Sequence, residues 1–307
     1  MTSNLPAAGA STVSAVTAES VSASASGAPA AAPQQVQGKV MLGMYTDLPY
    51  LNQTNSFVRR QSQLGRNLRI QHWYYTWWDT FLWQGAPAQG VIPMLSWPMP
   101  GSFASVVNGS QDSVILAHAR TLRNYGRPVF LRLGWEMNGN WFPWGTADAN
   151  GFIKAWRHIH DVFASQGATN VAWVWCPNYN SAPGRYKAST YYPGDGYVDW
   201  VGVDGYSVDS DGDKSPSTLF DPTVSVFGSR KPIMIAETSA GESPGRPDRK
   251  ANWIRAFQAW VKATPSVGAV VWFDTNKDGG RYDSRVDTSN NSWGAFWNLA
   301  HDGRFYG

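Results

Sequence analysis

The chain has 307 residues, 14% of them aromatic with 17 Trp, and a formal net charge of only +3. Its Lys and Arg are dispersed without a basic run, which argues against nucleic acid as a partner although the sequence pI is near 8.9. The lone Cys176 excludes an intrachain disulfide and a cysteine zinc cluster, and no apolar run approaches the length of a membrane span.

Residues 1–38 are Ala, Ser, Val, Thr and Pro with Glu19 as their single charge. That composition cannot bury a core, so a disordered low-complexity tail or leader is expected there. It lacks the positive n-region and compact apolar h-region of a secretory signal. A linker, a leader for another secretion route and an inert tail all stay open.

From Lys39 onward one domain is expected, spanning 39–307. Strand-like runs fall at 40–46, 68–75, 91–97, 128–135, 171–176, 198–206, 232–236 and 268–273. Most are continuously apolar, as parallel strands covered on both faces should be. Helical periodicity separates them. Phe152, Ala155, Trp156, Ile159, Val162 and Phe163 share a face, with Asp148 as N-cap and Gly167 as stop. Ile115, Ala119 and Leu122 repeat the pattern before Gly126, as do Trp253, Phe257, Trp260 and Val261 after Pro247. Weaker helical stretches lie at 56–64 and 217–227, and 79–85 is barely long enough for a turn. This alternation predicts an α/β (β/α)8 TIM barrel rather than a doubly wound sheet, and neither GxGxxG nor a Walker sequence supports nucleotide binding.

Glutamate is rare: Glu19, Glu136, Glu237 and Glu242 are all of it. Glu136 follows the fourth strand run and Glu237 the seventh, so a barrel brings both to its C-terminal face. Partly buried carboxyls are costly unless paired or protonated. Two of them over one mouth suit glycoside hydrolysis, in which one protonates the leaving oxygen and the other meets the anomeric carbon. A separation of about 5 Å makes the second a nucleophile and retains configuration. Glu136 lies in sequence among Trp135, Trp141 and Trp144, an apolar setting that keeps an acid protonated. Glu237 is followed by Thr238, a hydrogen-bond donor. The bland alternative is that one or both simply pair with an arginine such as Arg132.

The stretch Glu136-Met137-Asn138-Gly139-Asn140-Trp141-Phe142-Pro143-Trp144 resembles the acid/base segment of glycoside hydrolase family 26, known for β-mannanases. Ile233-Met234-Ile235-Ala236-Glu237-Thr238 is similar to that family's nucleophile strand. Trp272-Phe273-Asp274-Thr275-Asn276-Lys277, followed by Asp283-Ser284-Arg285-Val286-Asp287, resembles its eighth-strand segment. The resemblance implies Glu136 as acid/base and Glu237 as nucleophile, with Tyr206 hydrogen-bonding Glu237. It also implies Trp141 and Trp272 as aromatic walls around the sugar. The family usually has His immediately before the acid/base, where this chain has Trp135. That departure brings a β-glucan, a mixed-linkage glucan or a bacterial exopolysaccharide in beside mannan as substrate.

Further sugar contacts are expected from Trp135 and Asn138, and from Trp73, His72 and Trp97 near the ends of the second and third strands. About half of Trp73, Trp77, Trp78 and Trp97 should face the groove, because side chains alternate along a strand. A satisfied core histidine is an equal reading of His72. About half of all the Trp are expected in the core. Asp274-Thr275-Asn276-Lys277-Asp278-Gly279 copies the start of an EF-hand loop but follows a strand and has Arg285 at its twelfth position. Asp209-Ser210-Asp211-Gly212-Asp213 has Phe220 at the corresponding position, so no metal is expected at either. No HExxH or GxSxG occurs. The expectation is thus an endo-acting, retaining β-glycan hydrolase without a cofactor. Its partner is a polysaccharide, it inserts in no membrane, it is a monomer, and it acts outside the cell or in the envelope. The rival is a non-catalytic glycan-binding protein on a hydrolase scaffold.

Overall fold

The computed structural model describes residues 28–208, 212–276 and 283–307. Eight parallel strands form the frame: β1 (Val40–Asp47), β2 (Ile70–Tyr74), β3 (Ile92–Trp97), β4 (Val129–Leu133), β5 (Val171–Trp175), β6 (Trp200–Ser207), β7 (Ile233–Ala240) and β8 (Val267–Thr275). β1 pairs with both β8 and β2, through Met41↔Ala269 and Gly43↔Ile70, which closes the barrel. A short β9 (Phe305–Tyr306) returns to pair with the start of β1. All eight expected strands are present. β7 runs past Glu237 to Ala240, so that glutamate sits within the strand and not at its end.

The helices are α1 (Gln53–Leu64), α2 (Phe103–Val107), α3 (Asp112–Tyr125), α4 (Ala149–Ser165), α5 (Pro216–Phe227), α6 (Arg249–Ala263) and α7 (Asn290–His301). Their starts are chemically marked. Asp148 caps α4 by accepting from Gly151 N at 2.8 Å, and Ser215 caps α5 with Pro216 as its first residue. Gly126 ends α3 in the left-handed region that glycine adopts freely. α7 is not legible in the sequence. Its Asn290, Asn291, Ser292 and Gly294 are weak helix formers, and burial of Ala295, Phe296, Leu299 and Ala300 sustains it instead.

Side chains alternate between a filled barrel interior and a layer shared with the helices. Eleven of the seventeen Trp are buried, more than the expected half, and most fill that second layer: Trp173 packs on Trp156 of α4, and Trp272 on Trp253 of α6 and Phe296 of α7.

The described residues include part of the segment before residue 39. Residues 28–38 lie against the N-terminal end of the barrel: Ala30 N donates to Gly126 O at 2.8 Å, Trp200 Nε1 to Pro33 O at 2.9 Å, and Gln35 Nε2 to Pro265 O at 3.1 Å. Backbone carbonyls and one proline thus hold a stretch whose own composition buries no core. The expectation of disorder over 1–27 falls outside the described residues.

Candidate active site

The loop that presents Glu136 is built on two left-handed residues. β4 ends at Leu133, and Gly134 (φ 48°) and Glu136 (φ 52°) then turn the chain back over the mouth. At Gly134 an added Cβ would meet Phe152 Cε2 at 3.1 Å and Met99 Cβ at 3.3 Å, so backbone and space both demand glycine. A positive φ at Glu136 is strained by on the order of 1–3 kcal/mol and persists only because its surroundings over-determine it. Gly134 N is tied to Trp97 O at 2.8 Å and Glu136 N to Cys176 O at 2.7 Å, which fixes the turn to strands on either side.

The Glu136 carboxyl is 8% exposed and accepts two short hydrogen bonds, from Trp141 Nε1 to Oε2 and from Asn178 Nδ2 to Oε1, both at 2.6 Å. Gly139 makes the first possible, since a Cβ there would stand 2.5 Å from the Trp141 indole. Asn138 arranges the second. Its Nδ2 donates to Asn178 O and its Oδ1 accepts from Asn178 N, both at 2.9 Å, locking the loop after β5. Burial first, and the charge of Glu237 second, push the Glu136 pKa up to about 7 against the opposing pull of Asn178, Trp141 and Arg132. This group holds its proton into the neutral range and can still release it.

Glu237 meets a different environment at similar burial. Oε1 accepts from the Tyr74 hydroxyl and from Arg132 Nη2, and Oε2 accepts from the Tyr206 hydroxyl. Three donors on two oxygens are what an acceptor-only carboxylate requires. A bulge sets its position: Val203 pairs with Ile235 and Asp204 with Glu237, leaving Ala236 as the extra residue of β7. Arg132 anchors the cluster. Its Nη1 reaches both Asp204 oxygens at 2.9 Å and its Nε donates to Ser96 Oγ at 2.8 Å. Burial works against the Arg132 charge, but Asp204 and Glu237 outweigh it and push its pKa further up. The arginine is a fixed cation shared by two acids.

Trp135, Trp141 and Tyr206 meet the two carboxyls or their partners at the mouth, with Arg132 lying 5.2 Å from the Trp135 ring centre. Three others, Trp272, Trp97 and Trp73, are buried away from the mouth. Trp272 is fully buried toward α6 and α7 with Nε1 on Ser284 O at 3.1 Å; its neighbour Phe273 faces the mouth, edge-on to Tyr206 at 5.8 Å. Trp97 is stacked on Trp77 at 4.2 Å beneath the helices, and Trp73 is buried on the strand face opposite His72 and Tyr74. One residue of register separates wall from core in each case. Asn138 is buried as the clamp on Asn178. His72 is buried too; burial and then the charge of Arg132 hold its pKa well below the usual range, and Nε2 meets Ser96 Oγ at 2.6 Å. Thr238 turns away from Glu237, donating to Gly205 O at 2.8 Å.

The sequence does not single out Tyr74 or Asn178; it offers Asp204 as either a binder or a strand-end cap, and Arg132 only as a bland partner, which it is in part. Alternation along β2 places Tyr74 on the same face as His72 and was the available signal. Nothing local marks Asn178, which follows β5 and meets Glu136 only through the barrel's curvature.

Only part of each look-alike metal loop is described. Asp274 is buried against Arg60, and Asp213 pairs with Arg246 and Arg249; residues 209–211 and 277–282 of those loops lie outside the described residues. Among the described residues no helix is long and apolar enough to cross a membrane.

The profile of Glycosyl hydrolase family 26 matches residues 91–275, which include both carboxyls and the strands that carry them. This chain belongs to that family. Endoglucanase H of Acetivibrio thermocellus is 33% identical over 255 residues, 77% of this chain and 28% of the relative. Mannan endo-1,4-beta-mannosidase A and B of Caldalkalibacillus mannanilyticus is 32% identical over 162 residues, 50% of this chain and 29% of the relative. The chain thus spans less than a third of the length of either. The beta-mannanase from a symbiotic protist of the termite Reticulitermes speratus shares the fold at a TM-score of 0.62 and 18% identity, with 88% of this chain and 89% of that one covered.

Proposed function

We propose that the chain is an endo-acting, retaining β-glycan hydrolase. Glu237 attacks the anomeric carbon while Glu136 gives its proton to the departing glycosidic oxygen. Glu136, now a carboxylate, takes a proton from the water that then displaces the sugar from Glu237. The observation that carries this reading is the contrast between two acids at one barrel mouth. Glu136 is pushed up to about 7 and held by two N–H donors, and Glu237 is braced by Arg132, Tyr74 and Tyr206. Such divergent surroundings separate a proton donor from a nucleophile. Arg132 and the tyrosines act as positioning residues on Glu237, and Asn178 and Trp141 do so on Glu136.

A β-1,4-mannan-like chain is the first choice of substrate, with β-glucan or a bacterial exopolysaccharide close behind. Family membership and a relative named as a mannosidase support the first. Trp135 in the place of a usual histidine, and a relative named as an endoglucanase, support the second. Action on a polymer places the enzyme outside the cell or in its envelope. Release of reducing ends from mannan, β-glucans and exopolysaccharides is the deciding assay. Glu237→Ala is expected to lower turnover by roughly four orders of magnitude while glycan affinity survives. Rates near those of the parent chain would remove the mechanism.

A further inference from the structure

The guanidinium that braces Glu237 is itself held in place. Each of the three Arg132 nitrogens points at a buried acceptor: Nη2 at Glu237, Nη1 at Asp204 and Nε at Ser96. Ser96 stands opposite Arg132 in the register of β3 and β4, and its oxygen is the one acceptor of the three that carries no charge. The planar fork is thus pinned at three points, from β3, β6 and β7. Held only by its two acids, it could pivot about Asp204 and change the angle at which it meets Glu237.

Ser96 Oγ also lies 2.6 Å from Nε2 of His72 on β2. Arg132 Nε can only donate, so the Ser96 oxygen accepts there and its own hydrogen is free for the imidazole. Burial and then the charge of Arg132 keep His72 neutral. With Nε2 accepting, the ring proton sits on Nδ1, which meets no partner among the described residues. That tautomer leaves one unmet group. The reverse tautomer leaves two, the Ser96 hydrogen and the Nδ1 lone pair, where Ser96 and His72 are 0% and 1% exposed. The donors therefore run in one direction, from Arg132 to Ser96 to His72, and a hydroxyl that donates onward is the better acceptor for Arg132. The competing role for His72 is packing, since its ring lies 4.5 Å from that of Tyr74 and 5.7 Å from that of Tyr45.

We infer that Ser96 and His72 are positioning residues for Glu237: His72 Nε2 orients the Ser96 hydroxyl, and that hydroxyl fixes the Arg132 fork against the carboxylate. The inference rests on the proposed hydrolysis and extends the support of the nucleophile to β2 and β3.

Two substitutions separate orientation from packing. His72→Phe keeps the ring and loses the acceptor, whereas His72→Gln loses the ring and can set Oε1 where Nε2 stands. The substrates are dinitrophenyl β-mannobioside and β-cellobioside, whose leaving group departs without a proton from Glu136, so kcat/KM reports attack by Glu237. His72→Phe and Ser96→Ala should each lower it about tenfold, and His72→Gln should stay within about threefold of the parent. Adding His72→Phe to Ser96→Ala should cost nothing more, because the hydroxyl it orients is gone. Parent rates in His72→Phe, or a larger fall in His72→Gln than in His72→Phe, overturn the inference. Nitrogen NMR then tests the arrangement without substrate. His72 should carry its proton on Nδ1 and stay neutral from pH 5 to pH 8; the opposite tautomer, or a ring that protonates in that range, overturns it. The Arg132 Nε proton should move upfield in Ser96→Ala and His72→Phe but not in His72→Gln. That pattern supports the inference even if the parent cleaves nothing, in which case only the hydrolytic reading fails. Equal shifts in His72→Phe and His72→Gln overturn it.

Discussion

Glu136 and Glu237 are the same side chain in two environments, and the difference is countable in hydrogen bonds. Glu136 receives two N–H groups and no cation in contact; Glu237 receives a guanidinium and two phenols. Because Glu136 is pushed up to about 7, the alkaline limb of kcat/KM is expected near that pH. Trp141→Phe removes a donor that favours the carboxylate, so the limb should move to higher pH; a limb that stays put would show the indole N–H to be idle. The same group ties stability to pH. Its folded pKa of about 7 lies above its ordinary 4.5, so the folded chain holds the extra proton between those values. Stability from this source is complete below 4.5 and is lost as pH rises through 7. Glu136→Gln has no such proton, and its Tm relative to the parent should climb between pH 5 and pH 8. Thermal melts across that range measure it.

Elements turn these residues into a site through contacts far apart in sequence. Asn138 follows β4 and Asn178 follows β5, and the first holds the second against Glu136. Asn138→Ala and Asn178→Ala should each lower kcat by about tenfold or more, and the double variant should fall well short of their product, because both remove one hydrogen bond. A product of the two effects would separate the residues. Arg60 of α1 is another such knot. It is fully buried, with Nε 2.7 Å from Asp274 Oδ2 of β8 and Nη1 2.7 Å from Asp287 Oδ2 before α7. Arg60→Ala leaves Asp274 buried without its cation and should cost about 3–5 kcal/mol in denaturant unfolding. Asp287 is 39% exposed, so Asp287→Ala should cost much less. The elements themselves were largely legible. Apolar runs marked all eight strands, and Asp148, Gly126 and Pro247 marked helix ends. The face each strand residue takes was not. Trp272 and Phe273 are adjacent aromatics, and no local preference says which meets the helices.

At the scale of the whole molecule, closure is what matters. β1 binds β8 and β2 at once, and the segment 28–38 then seals the opposite end through Pro33 and Gln35. A chain beginning at Lys39 should lose at least about 3 °C in Tm relative to one beginning at Gly27, since Trp200 Nε1 loses its acceptor and the barrel floor is uncovered. Activity at 25 °C should survive, as both carboxyls stand at the other end. Sequence by itself determined the barrel, the order of its strands and that Glu136 and Glu237 share one mouth, because continuous apolar runs and rare acids beside them are local signals. Only tertiary structure decided which tryptophans reach the mouth, that Arg132 and Tyr74 brace Glu237, and that Asn178 meets Glu136. Those contacts join residues 42 to 163 positions apart, and their geometry is set by barrel curvature, by the bulge at Ala236 and by strand register, none of which is written in any one segment.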